Sequence, residues 1–106
     1  MADWVRVANV SEIPAGGFKA VELDGAMVVV FNLNGEFYAL DDVCTHDGGP
    51  LSDGLVLGEE VVCPRHGARF AIRSGGVTAP PAEEAVHRFP LRVRLEGIEL
   101  RDDRGE

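Results

Sequence analysis

The sequence predicts an all-β chain, on three observations. Apolar and charged residues alternate with period two, most plainly where Leu91, Val93 and Leu95 are interleaved with Arg92 and Arg94, the pattern of a half-buried strand. Turn dipeptides recur at short intervals, as Asp24-Gly25, Asn34-Gly35 and Glu96-Gly97, and such pairs join antiparallel strands. Helical signals are scarce. In chain order, Ser11-Glu12-Ile13-Pro14 predicts one short capped turn, interrupted by Pro14 and the Gly16-Gly17 pair. Strands over 18–23 and 26–33 follow, then one over 36–40, so that the first two turn dipeptides each close a hairpin. A third hairpin is expected from 91–95 and 98–100 around Glu96-Gly97. Between them, residues 41–81 are rich in Gly, Pro, Cys and His and poor in alternation. That stretch reads as loops, where chemistry tends to reside.

A length of 106 residues suits one small domain. The longest apolar run, 26–31, is six residues, far short of the roughly 20 that a membrane helix needs. Ten Lys and Arg against 18 Asp and Glu leave a net charge of -8, which repels phosphate backbones and anionic membranes and argues against nucleic acid as a partner. Lys19, the one lysine, has no phosphate-binding loop around it. The first residues carry an acid and no apolar stretch, so the expected compartment is the cytoplasm. His87, beside Arg88, reads as a surface histidine, and the aromatic residues as core or sheet-face side chains.

Both cysteines and two of the three histidines fall into two clusters, Cys44-Thr45-His46 and Cys63-Pro64-Arg65-His66, with sixteen residues between them. A disulfide would leave the histidines unexplained and is disfavoured in a reduced compartment. A nucleophilic Cys–His pair has no use for a duplicate. Metal ligation uses all four residues, either as a tetrahedral zinc site or as an iron–sulfur cluster with mixed ligands. Gly48, Gly49 and Pro50 after the first pair, and Pro64 and Gly67 around the second, suit the tight turns that either site needs. Neither Cys-x-x-Cys knuckles nor a helical His pair is present, which places zinc second.

The residues Cys44 to Gly54 and Cys63 to Phe70, read with their glycines and prolines, resemble the two cluster loops of soluble Rieske [2Fe–2S] ferredoxins of bacterial ring-hydroxylating dioxygenases. The segment from Gly75 to Pro81 is similar to the loop that closes over the cluster there. The resemblance implies a Rieske-type antiparallel β-sandwich or barrel base, formed by residues 1–41 and 82–106, with a cluster-binding insertion over 42–81. It implies one [2Fe–2S] cluster, Cys44 and Cys63 holding the buried iron and His46 and His66 the outer one, with electrons passing on the histidine side. Pro50, Leu51, Pro64 and Arg65 would lie at the tip as an apolar docking surface, with packing between the loops as the other reading for Leu51 and Pro64.

Such a chain would be an electron carrier and not an enzyme, taking single electrons from a flavin-dependent reductase to a terminal non-haem iron oxygenase. The alternatives are the small Rieske subunit of assimilatory nitrite reductase, docking on that enzyme's large subunit, and a zinc-stabilised interaction module. Respiratory relatives brace their loops with a disulfide whose positions here are Gly49 and Arg65. High-potential members also carry a serine and a tyrosine where this chain has Ala68 and Phe70. With those hydroxyl donors missing and Asp47 beside His46, a low potential is expected.

Overall fold

The computed structural model describes residues 3–105; Met1, Ala2 and Glu106 lie outside the described residues. Eleven strands are present among the described residues, arranged in three antiparallel sheets. The first sheet has the order β1-β11-β10, formed by Val5–Asn9, Gly97–Leu100 and Leu91–Arg94. The second has the order β2-β3-β4-β9, from Phe18–Leu23, Ala26–Leu33, Glu36–Asp41 and Arg88–Phe89. The third, β5-β6-β7-β8, comprises Leu55–Leu57, Glu60–Val62, Arg69–Ala71 and Val77–Ala79. Among the described residues no helix is long and apolar enough to cross a membrane.

The β3 strand organises the molecule. Val28 and Val30 contribute to one core with Leu23, Ala39, Phe89, Ile98 and Leu100, whereas Val29, Phe31 and Leu33 contribute to another with Cys44, Leu51, Cys63, Phe70 and Ile72. A strand buried on both faces needs apolar residues at consecutive positions and not at alternate ones, which accounts for the unbroken apolar residues 28–31, whereas Met27 at the start of the strand is exposed. The second core fastens the two cysteine-bearing loops to the central sheet. Buried Asn32 is satisfied on both sides, donating to the Ile13 carbonyl at 2.8 Å and accepting from the Gly35 amide at 2.7 Å.

The first two hairpins form where the dipeptides place them, with positive φ at Asp24, Gly25, Asn34 and Gly35. The third differs by one residue. Gly97 pairs with Arg94 as part of β11, and the turn residues are Leu95 and Glu96, with φ of 51° and 62°. The expected burial of 91–95 also fails: β10 is an edge strand, Val93 is 47% exposed and Leu95 is 92% exposed. The short helical turn is Val10–Glu12, and its cap is Asn9 in place of Ser11, Glu12 accepting from the Asn9 amide at 2.7 Å. Residues 41–81 are not only loops, since they contain the whole third sheet. Its strands have three residues each, too few for an alternation to show in sequence.

Candidate metal centre

Two loops of the same backbone design meet at one end of the third sheet. In the first, the Cys44 amide donates to the Gly49 carbonyl and the Gly48 amide to the Cys44 carbonyl, both at 2.7 Å. In the second, the Cys63 amide donates to the Ala68 carbonyl at 2.8 Å and the Gly67 amide to the Cys63 carbonyl at 3.1 Å. Gly48 and Gly67 occupy the same step with φ of 78° and 75°, a conformation that side-chain-bearing residues adopt at a cost. Superposing the pattern makes His46 the counterpart of Arg65, and Asp47 the counterpart of His66. The two histidines therefore leave opposite positions of equivalent turns, which is the geometric meaning of Cys-x-His followed by Cys-x-x-His.

Both cysteines are fully buried and unbridged. Burial pushes the Cys44 thiol above its ordinary range, the neighbouring amides opposing that shift only in part. Binding of a cationic metal must therefore displace a proton there. His46 and His66 are exposed, with ring centroids 5.1 Å apart and edge to face. The arrangement is sulfur inside and nitrogen outside.

Among the described residues, the ligand atoms that lie within 4.8 Å of one another belong to Cys44, Asp47 and Cys63, with neither histidine in the set. Asp47 is no replacement ligand, because its carboxylate is already engaged. It accepts from Arg65 Nε at 2.6 Å, from a second Arg65 nitrogen at 3.3 Å and from the Gly49 amide at 2.9 Å. The Arg65 guanidinium, and after it the Gly49 amide, hold the Asp47 carboxyl well below the usual carboxylate range. Its negative charge is matched by Arg65 and is not the unopposed charge beside His46 that sequence order suggests.

The surrounding residues divide clearly. Pro50 and Pro64 are exposed, whereas Leu51 is fully buried in the same core as Cys44 and Cys63. Leu51 thus packs the loops together and is unavailable for docking. Ala68 and Phe70 are also fully buried in that core. Leu51–Asp53 forms a short 3-10 turn, pinned by buried Asp42, which accepts from the Ser52 amide and hydroxyl at 2.7 Å each. Thr45 donates to the Glu84 carbonyl at 2.6 Å, tying the first loop to the segment before β9. Beside it lies a depression of about 450 Å³ lined by Thr45, His46, Pro81, Glu83 and Glu84. Sequence reading missed Asp47, Thr45 and Asp42 as supporting residues. For Asp47 a signal existed, since aligning the loops on Cys and Gly sets an acid and a base at the positions the histidines leave open. His87 is half-buried, against Asp103 at 2.8 Å and the Phe89 ring.

An antiparallel β scaffold that presents two matched loops, thiols inward and imidazoles outward, defines a class of small cluster-binding electron-transfer domain. The chain belongs to the Rieske [2Fe–2S] domain family, whose model matches residues 3–90. It is 31% identical over 91 residues to the ferredoxin component of the naphthalene 1,2-dioxygenase/salicylate 5-hydroxylase systems of Ralstonia sp., covering 86% of this chain and 88% of the relative. It is 37% identical over 91 residues to the biphenyl dioxygenase ferredoxin subunit of Pseudomonas sp. strain KKS102, covering 85% and 84%. Among solved structures, a chain from the complex of reduced oxygenase and oxidized ferredoxin in carbazole 1,9a-dioxygenase superposes with a TM-score of 0.87 at 28% identity, covering 92% of each chain. As in its family, one Rieske-type [2Fe–2S] cluster is the cofactor.

Proposed function

We propose that this chain is a soluble electron carrier of a ring-hydroxylating dioxygenase system, receiving single electrons from a flavin-dependent reductase and passing them to a terminal non-haem iron oxygenase in the cytoplasm. The observation that supports it is the division of four donors into a buried thiol pair and an exposed imidazole pair. In this reading Cys44 and Cys63 hold the inner iron, and His46 and His66 the outer one. The bound cluster supplies one-electron chemistry, and the chain supplies its enclosure and its exit. Residues 42–81 form the cluster-binding part on a base of 1–41 and 82–106. The exposed His46 and His66 edges, flanked by Pro50 and Pro64, present the exit to a partner. The depression bounded by Glu83 and Glu84 favours a basic partner surface.

The resemblance to ferredoxin components disfavours a nitrite reductase subunit, and the match to the Rieske [2Fe–2S] domain disfavours the zinc module. The decisive experiment is iron and acid-labile sulfide analysis of protein made under iron-replete, anaerobic conditions. About two of each per chain are expected from a [2Fe–2S] cluster, lost in Cys44→Ser and Cys63→Ser and lost or spectrally altered in His46 and His66 variants. Stoichiometric zinc without sulfide refutes the assignment.

A further inference from the structure

The only two cysteines in the chain are Cys44 and Cys63, so no disulfide can join the two loops while both serve as ligands. Another connection is present. Asp47 and Arg65 stand at the loop positions that the histidines leave open, and they meet across the gap in a two-point ion pair. The pair has a built seat. A Cβ placed on Gly49 would fall 1.5 Å from one terminal nitrogen of Arg65 and 2.3 Å from its central carbon, so the guanidinium lies directly on the Gly49 backbone. The same glycine donates its amide to Asp47. One carboxylate oxygen, Oδ2, then lies 3.8 Å from Cys63 Sγ and 3.8 Å from His66 Nδ1. A full negative charge is thereby held against one donor sulfur and one donor nitrogen, with its balancing positive charge just outside.

We infer that Asp47 and Arg65 are positioning residues forming an ion-pair clasp, which joins the two ligand loops in place of a covalent bridge and holds the charge beside the cluster near neutral. The inference rests on the cluster reading above. Two consequences separate it from a merely structural contact. Removing the acid leaves a cation beside the site, which favours the added electron, whereas removing the base leaves an anion, which opposes it. Removing both restores the balance but not the clasp.

The test uses the purified, cluster-loaded protein with Asp47→Asn, Arg65→Gln and the double variant, reading midpoint potential by voltammetry and iron release to a chelator. Asp47→Asn should raise and Arg65→Gln should lower the equilibrium constant for reduction, each by about tenfold, equivalent to about 59 mV for one electron. The double variant should return to within about twofold of the parent potential. All three should release iron several-fold faster than the parent. Arg65→Lys, which keeps the charge but not the two-point geometry, should retain the parent potential yet release iron faster, and it carries the test if Asp47→Asn does not fold. Single variants whose potentials move in the same direction, or not at all, overturn the electrostatic role. Unchanged iron release in every variant overturns the clasp. A parent protein loaded with iron and sulfide confines either failure to this inference, whereas a parent without them overturns the cluster reading itself.

Discussion

Leu51 separates two functions that the sequence leaves entangled, because a tip residue could either dock a partner or hold the loops together. The side chain is fully buried among Cys44, Cys63, Phe70 and Val61. Truncation in Leu51→Ala removes three carbon atoms, worth roughly 2.4 kcal/mol at about 0.8 kcal/mol per methylene. The residual cavity brings the expected loss to about 2.7–5.0 kcal/mol. A domain of this size has a total stability of only about 5–15 kcal/mol, so the variant should lie near the edge of folding. A loss of about 3 kcal/mol corresponds to a fall in Tm of roughly 12–24 °C. Urea denaturation of parent and variant, each loaded with its cluster and followed by circular dichroism and by cluster absorbance, measures the loss. The cluster should bleach at the same lower denaturant concentration at which the fold is lost, because the residue supports both. A docking residue would behave otherwise, costing under about 0.5 kcal/mol while weakening electron delivery to the partner. That second outcome, with an unchanged denaturant slope, refutes the packing assignment.

Replacing Leu95 and Glu96 by Asn and Gly should stabilise the protein by about 1 kcal/mol. Relief of left-handed backbone strain, about 1–2 kcal/mol per residue, outweighs the entropy added to the unfolded chain by glycine, about 0.4–1 kcal/mol. Calorimetry should show a higher Tm, and the hairpins at Asp24-Gly25 and Asn34-Gly35 are the internal precedent. Ala68→Ser and Phe70→Tyr should each raise the midpoint potential if the new hydroxyl reaches a sulfur, by about 65–130 mV for a charge-assisted hydrogen bond of about 1.5–3 kcal/mol; a parent midpoint above about +100 mV would contradict the low potential proposed from these two residues. Asp102 has its carboxyl pushed down to about 2, chiefly by the Arg104 side chain and then by the Arg104 amide. Its folded value lies below its unfolded one of about 3.9, so its stabilising contribution is present above about pH 4 and is lost as pH falls through about 2. Hydrogen exchange of residues 101–105 should show that loosening, and Asp102→Asn should remove the acid dependence.

Several features were determined by sequence alone because their physics is local. Asp24-Gly25 and Asn34-Gly35, each set between two strand-forming runs, adopt left-handed turns, and the continuous apolar run of β3 can be buried only on both faces at once. The two Cys and His pairs were legible for the same reason, as the spacing within each loop follows from the reach of one tight turn. Other features arise only when distant residues meet. Strands β5 to β8 are too short to declare themselves by alternation, and they exist because each finds a partner across the sheet. Leu95 and Glu96 are held in an unfavourable conformation because β10 and β11 pair in a register that leaves them no other. Leu51 looks like any exposed loop leucine until its turn folds into the core that also buries Cys44, Cys63 and Phe70. Asp47 and Arg65 are eighteen positions apart, and aligning the two loops marks their places without showing that their side chains meet. Only the convergence of two equivalent loops brings their charges within hydrogen-bonding distance, because Coulomb attraction at that range depends on folded separation and not on sequence order.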